Sequence, residues 1–292
     1  MQTNGTVQTL VKLGRIPTGI SSFDPIVRGG FPSGSLVLLL GEPGAGKTEF
    51  VHTSAAMLSL MKSKPGGYRD LKQQLESFLL KDESLKLPES LSYISFARSK
   101  VDVLREIERS FPPEFARNLS VNMAFKDLSS MPIVYSKDWE STRTLGSADV
   151  QKEIFKEFVS TLDSAAPNSI VVIASLNHLI NICKKFMDWT EILSFLKDLQ
   201  RQAKQWDGIV YLLLNEGILE EYKEKEVMEM VDGILVFKWV VSNFSRQQAL
   251  YIQKFRGLLP LIDRDNIVRF DTAITKTDGF VVTNIKRISG RR

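Results

Sequence analysis

The chain is short of the residues on which several common chemistries depend. A single cysteine, Cys183, stands among 292 residues, so no internal disulfide can form and a reducing compartment is the simplest setting. With neither a histidine nor a second thiol near it in sequence, Cys183 reads as a small buried hydrophobe. Only two histidines occur, His52 and His178; they lack metal-ligand spacing and read as structural. Long hydrophobic runs are missing as well. The most apolar stretches, SLVLLL, SIVVIASL, GIVYLLL and GILVF, fall far short of the roughly 20 residues that cross a bilayer. The opening MQTNGTVQTLVKLG has no apolar core of signal-peptide length. Membrane association is therefore not expected, and a cytoplasmic location is.

What remains is an ordinary globular composition, 43% hydrophobic and 25% charged, in a chain long enough to bury a large core. The net charge of +4 would help an acidic partner approach without specifying one. The four apolar runs read as strands buried on both faces, and helical patterns separate them, as in a mainly parallel sheet. Residues 36–40 form the first strand, and a helix follows to about Met61. Residues 62–91 read as an excursion holding one amphipathic helix, with Leu71, Leu75, Phe78 and Leu79 on one face. LSYISFA (91–97) is a second strand, followed by a helix over 100–110 that stops before Pro112 and Pro113. LSVNMAF (119–125) reads as a strand, and the rest of 111–147 as a long loop. Helices over 149–165 and 187–206 lead into SIVVIAS and GIVYLLL. From residue 233 the pattern changes to strands joined by short turns, an antiparallel continuation at one edge of the sheet. The expectation is a single α/β domain over 1–292.

One motif carries chemistry. GEPGAGKT, from Gly41 to Thr48, fits the phosphate-loop pattern G-x-x-x-x-G-K-[ST], between a buried strand and a helix. Gly44 and Gly46 let backbone N–H groups face phosphates, and the helix N-terminus favours an anion. Lys47 reaches the β and γ phosphates, and Thr48 supplies a hydroxyl to Mg²⁺. Gly41, Glu42, Pro43, Gly44, Ala45, Gly46, Lys47, Thr48 and Glu49 are the expected cradle for ATP or ADP.

Residues 15–50, RIPTGISSFDPIVRGGFPSGSLVLLLGEPGAGKTEF, resemble the opening of the KaiC and RadA group of RecA-like P-loop ATPases. GIVYLLLNE, MVDGILVF and QKFRG resemble that family's late core strand, D-G strand and K-x-R-G signature. The resemblance covers about 240 residues and leaves out 62–91 and 111–147. It implies a RecA-like core that binds ATP at the junction of adjacent subunits in a ring, such as a hexamer, or a filament. It also implies that Lys254 and Arg256 reach a neighbour's γ-phosphate. Strand alternation places these two cations on one face, where they would repel unless an anion lay between them.

The acids break the pattern. The carboxylate that holds Mg²⁺ is expected at the end of the strand beside the P-loop strand, and there the chain reads IVVIASL, with Ala174 in the aspartate's place. The family's water-polarising glutamate follows the second strand, where this chain has Ala97 and Arg98. Losing such a base costs about 10² to 10⁴ in rate while phosphate contacts persist. The expected activity is nucleotide binding with weak or absent hydrolysis, in a regulatory or assembly subunit that self-associates or pairs with a related ATPase. A working ATPase using another acid is the alternative, with Glu216 the first candidate and Asp127, Asp138 and Glu140 behind it. A DNA-binding recombination accessory role is a weaker reading, based on Lys286, Arg287, Arg291 and Arg292.

Overall fold

The computed structural model describes residues 12–129, 148–242, 245–259 and 267–287. Strands β1 (Leu13–Ile16), β2 (Phe31–Pro32) and β4 (Glu83–Leu85) make a small sheet. The main sheet has nine strands. In chain order they are β3 (Ser35–Gly41), β5 (Leu91–Ser95), β6 (Met123–Asp127), β7 (Ile170–Ala174), β8 (Ile209–Asn215), β9 (Gly233–Ser242), β10 (Ser245–Phe255), β11 (Ile267–Thr275) and β12 (Gly279–Arg287). In space the order is β12-β11-β10-β9-β3-β8-β7-β5-β6. Pairings from β9 to β6 are parallel, and β9 to β12 is an antiparallel edge.

β3 shows why the apolar runs become central strands. All seven of its residues are buried. Val37 and Leu39 enter one core, and Leu36, Leu38 and Leu40 enter the other, following the two-residue period of a strand. The first core is closed by α1 (Lys47–Ser63), α2 (Gly67–Glu76), α3 (Lys100–Ser110) and α4 (Pro113–Asn122). The second is closed by α5 (Ala148–Ala165), α6 (Leu176–Cys183), α7 (Trp189–Trp206) and α8 (Glu221–Glu229). Local signals set several helix ends. Ser99 caps α3 by accepting from the Asp102 N–H, and Asp188 and Glu191 form a reciprocal capping box on α7.

The expected strands and helices are present; β1, β2, α6 and α8 are additions to them, and three further differences concern the excursion and the segment after α3. The excursion holds α2, which buries Leu71 and Leu75 but ends at Glu76, so Phe78 falls beyond it and is exposed. It also supplies β4, which pairs in parallel with β1. Residues 119–122 are helical, and only Met123 onward is strand: Pro113 opens α4 at the first-turn position that proline tolerates. Pro112 and Pro113 thus separate two helices. Asp138 and Glu140 lie outside the described residues.

Candidate functional site

The phosphate loop leaves β3 at Gly41 and enters α1 at Lys47. Gly44 and Gly46 have φ of 73° and 109°, values that side chains disfavour. A Cβ on Gly41 would lie 2.1 Å from the Phe237 carbonyl oxygen of β9. The Ala45 N–H donates to Glu42 O at 3.2 Å, closing the turn. Lys47 Nζ donates to Gly41 O at 2.9 Å and to Glu42 O at 3.0 Å. Burial holds the Lys47 pKa below the ordinary lysine value, opposed by the charges of Glu49, Glu216 and Glu42. Thr48 and Glu49 are half-buried in the first turn of α1, and burial raises the Glu49 pKa. The glycine turn, the lysine and the free amides at the start of α1 fit a phosphate chain. Thr48 offers one hydroxyl to a metal, so the nucleotide's phosphates fit this cradle better than its Mg²⁺ does.

The acids are arranged differently from the expectation. β7 does not lie beside β3, because β8 inserts between them. Ala174 ends β7 in register with Ser95 of β5, so it brings no carboxylate to the cleft. At the end of β5, Ser95 Oγ accepts from the Ala97 and Arg98 N–H groups at 3.4 and 2.9 Å. The Arg98 guanidinium is paired with Glu106 of α3, so its charge is met by a carboxylate within the chain. The strand between β3 and β7 is β8, and its Asn215 pairs with Gly41. Glu216 follows: its N–H donates to Gly41 O at 3.0 Å, and its Oε1 stands 3.1 Å from Lys238 Nζ. Its Oε2 is buried without a hydrogen-bond partner. Asp127 ends β6, the outermost strand at the far side of the sheet.

Two site neighbours escaped the sequence reading. Trp239 Nε1 donates to Pro43 O at 3.3 Å, and Gln248 Nε2 donates to Gly44 O at 2.8 Å. The Arg246 guanidinium lies over the Trp239 ring at 4.0 Å. A lone tryptophan and a lone glutamine on edge strands carry no motif, and only the β9–β10 register, which pairs Gln248 with Trp239, brings them together.

Lys254 and Arg256 are at the other end of β10, level with the start of β9. Strand alternation accounts for one of them alone, because the register shifts between Ile252 and Lys254, and the strand ends at Phe255. Lys254 Nζ donates to Met228 O at 3.0 Å and Glu229 O at 3.3 Å at the C-terminal end of α8, where a cation suits the helix dipole. Arg256 stands 3.7 Å from Asp232. The turn after it is held from below by Arg15, which donates to Gly257 O at 3.1 Å and, from Nε, to Glu83 at 2.8 Å.

His52 is buried between Tyr93 and Phe111, and burial followed by the charge of Arg98 lowers its pKa to about 3. Cys183 is buried in the second core. Among the described residues no group of three His, Cys, Asp or Glu is placed to hold a metal ion, and no helix is long and apolar enough to cross a membrane. Of the basic tail, Lys286 stands 3.7 Å from Asp271; Arg291 and Arg292 lie outside the described residues.

Comparison with known proteins bears on the fold and on the segment that carries the loop. A family model described as the KaiC ATPase matches residues 16–58, the segment from β1 through the loop into α1. The structure resembles that of a KaiC-like protein of the hyperthermophilic archaeon Pyrococcus horikoshii, with a TM-score of 0.59 and 19% identity over 93% of this chain and 100% of that one. No curated protein matches the chain in sequence. The fold is therefore that of the RecA-like KaiC proteins, and the KaiC-type P-loop segment stands at the expected place in it.

Proposed function

We propose that the chain binds ATP or ADP at Gly41–Thr48, hydrolyses it weakly or not at all, and serves as a regulatory or assembly subunit in the cytoplasm. One contrast carries this reading. The loop has all its phosphate-binding parts, while Ala174 and Ala97–Arg98 supply none of the carboxylates that hydrolysis requires.

A bound nucleotide would supply the phosphate charge, and its Mg²⁺ would help to neutralise it. The chain's own contribution is to hold them. Lys47 would exchange two neutral carbonyls for an anionic partner, a stronger charge-assisted contact. Thr48 would offer its hydroxyl to the metal, and Glu42 and Pro43 would complete the cradle. A site of this kind acts by shifting a population, because a ligand that favours one state changes its share without being consumed. In a ring, such as a hexamer, or a filament, whether of this chain or with a related ATPase, Lys254 and Arg256 would leave Glu229 and Asp232 for a neighbour's nucleotide.

A second reading, slow hydrolysis, rests on Glu216. It ends the strand beside β3 with one carboxylate oxygen buried and unpartnered. A turnover assay of wild type beside Lys47→Ala separates the two. Binding with negligible phosphate release supports the first reading; robust release that vanishes in Lys47→Ala overturns it. Retention of DNA at low salt by the wild type would revive the nucleic-acid reading.

A further inference from the structure

Past the end of β3, the hairpin of β9 and β10 continues without it. Gly41 pairs with Phe237, and β9 runs on for five further residues, to Ser242. This free part of the hairpin carries both side chains that hold the outer carbonyls of the phosphate loop, Trp239 on Pro43 and Gln248 on Gly44. The two are cross-strand partners, so they grip neighbouring peptides from one rung. A trans peptide points its C=O and N–H in opposite directions. A donor on the Pro43 carbonyl therefore aims the Gly44 N–H, and one on the Gly44 carbonyl aims the Ala45 N–H, which here closes the loop's turn on Glu42 O. Arg246 over the indole holds the ring in place. A second tie runs from Lys238, on the same strand, to Glu216 and so to Gly41.

We infer that Trp239 and Gln248 are positioning residues for the phosphates of a bound nucleoside di- or triphosphate, acting through the peptide planes of the loop. The inference rests on the nucleotide-binding reading of Gly41–Thr48. It makes the edge hairpin part of the binding site, and it makes Trp239 an intrinsic fluorescent reporter of occupancy.

The test uses the full chain with Trp239→Phe, which keeps a ring under Arg246 but removes the donor, and Gln248→Met, which keeps length but removes the donor. Gln247→Met, an exposed neighbour on the other face of the strand, is the control. Calorimetric titration with ATP and with ADP is expected to show the double variant about tenfold weaker, in line with two lost hydrogen bonds, and the control within about twofold of wild type. Amide exchange over 41–48 in the nucleotide-free protein is expected to quicken in the double variant alone. A folded double variant that binds like wild type, with unchanged exchange, overturns the inference. If wild type binds neither nucleotide, the nucleotide reading is what fails. Exchange then decides the bracket by itself: quickening upholds it as a brace on the loop, and no change removes it. Should the double variant melt early, Gln248→Met alone carries the same comparison.

Discussion

Lys47 Nζ rests 2.9 Å from the carbonyl oxygen of Gly41, the first residue of its own loop. The buried ammonium is thus held inside the loop by neutral carbonyls, partners that a phosphate would replace on the proposed reading. Lys47→Ala should weaken ATP binding by about 10- to 100-fold, the worth of one or two charge-assisted hydrogen bonds. The melting temperature of the nucleotide-free protein should change little, and the upward shift that ATP gives wild type should disappear. Calorimetry and thermal melts with and without ATP check both.

Ala174 ends a core strand at the position where the KaiC and RadA resemblance implies a metal-holding acid, so introducing one there tests the proposed cause of weak hydrolysis. Ala174→Asp combined with Ala97→Glu should raise phosphate release by about tenfold or more, within the range that a positioned acid or base contributes. Affinity for ATP without Mg²⁺ should not rise. Equal rates in wild type and variant would mean that these two positions are not what limits turnover.

His52 and Asp24 give stability opposite responses to acid. Burial holds the His52 pKa at about 3, below its ordinary 6.5, so the neutral ring favours folding above 6.5 and that stability is lost as pH falls toward 3. Burial raises the Asp24 pKa to about 6 from 3.8, against hydrogen bonds from Thr18 and Gly19, so its contribution is present below 3.8 and is lost as pH rises through 6. Between these limits the two largely offset each other. In His52→Leu the loss on acidification is removed, and the difference from wild type should change by about 3 kcal/mol in the variant's favour between pH 7 and pH 4. Denaturant melts across that range measure it.

The Arg15–Glu83 pair is almost fully buried, with side chains 1% and 3% exposed. Glu83→Gln leaves an uncompensated guanidinium in the core and should cost about 3 to 5 kcal/mol. Replacing both, as in Arg15→Met with Glu83→Leu, should recover most of that loss, because apolar substitutes spare the desolvation of two charges. A denaturant-based double-mutant cycle reads the coupling.

The parts of this protein that follow from local pattern were legible in the sequence. Four unbroken apolar runs became β3, β7, β8 and β9, and the spacing from Gly41 to Thr48 located the loop before any coordinate did. Strand order was less accessible, since nothing in SIVVIAS or GIVYLLL says which of them lies against β3. Placing β8 there moved the nearest strand-end acid from position 174 to Glu216. LSVNMAF misled because a short apolar run suits helix and strand alike, and Pro113 tipped its first part into α4. The short helices α6 and α8 left too few turns to show a period. Trp239 and Gln248 became site residues through cross-strand register, and Arg15 met Glu83 across 68 positions of sequence; single-residue chemistry gives no sign of either.

That last pairing gives the excursion a task in the rest of the fold. Glu83, in the stretch of 62–91, neutralises an arginine on the first strand and, through Arg15, steadies the turn at Gly257. Cutting residues 62–91 out of this chain would therefore strand a guanidinium in its interior, and a trimmed version needs an apolar residue at position 15 to fold as well.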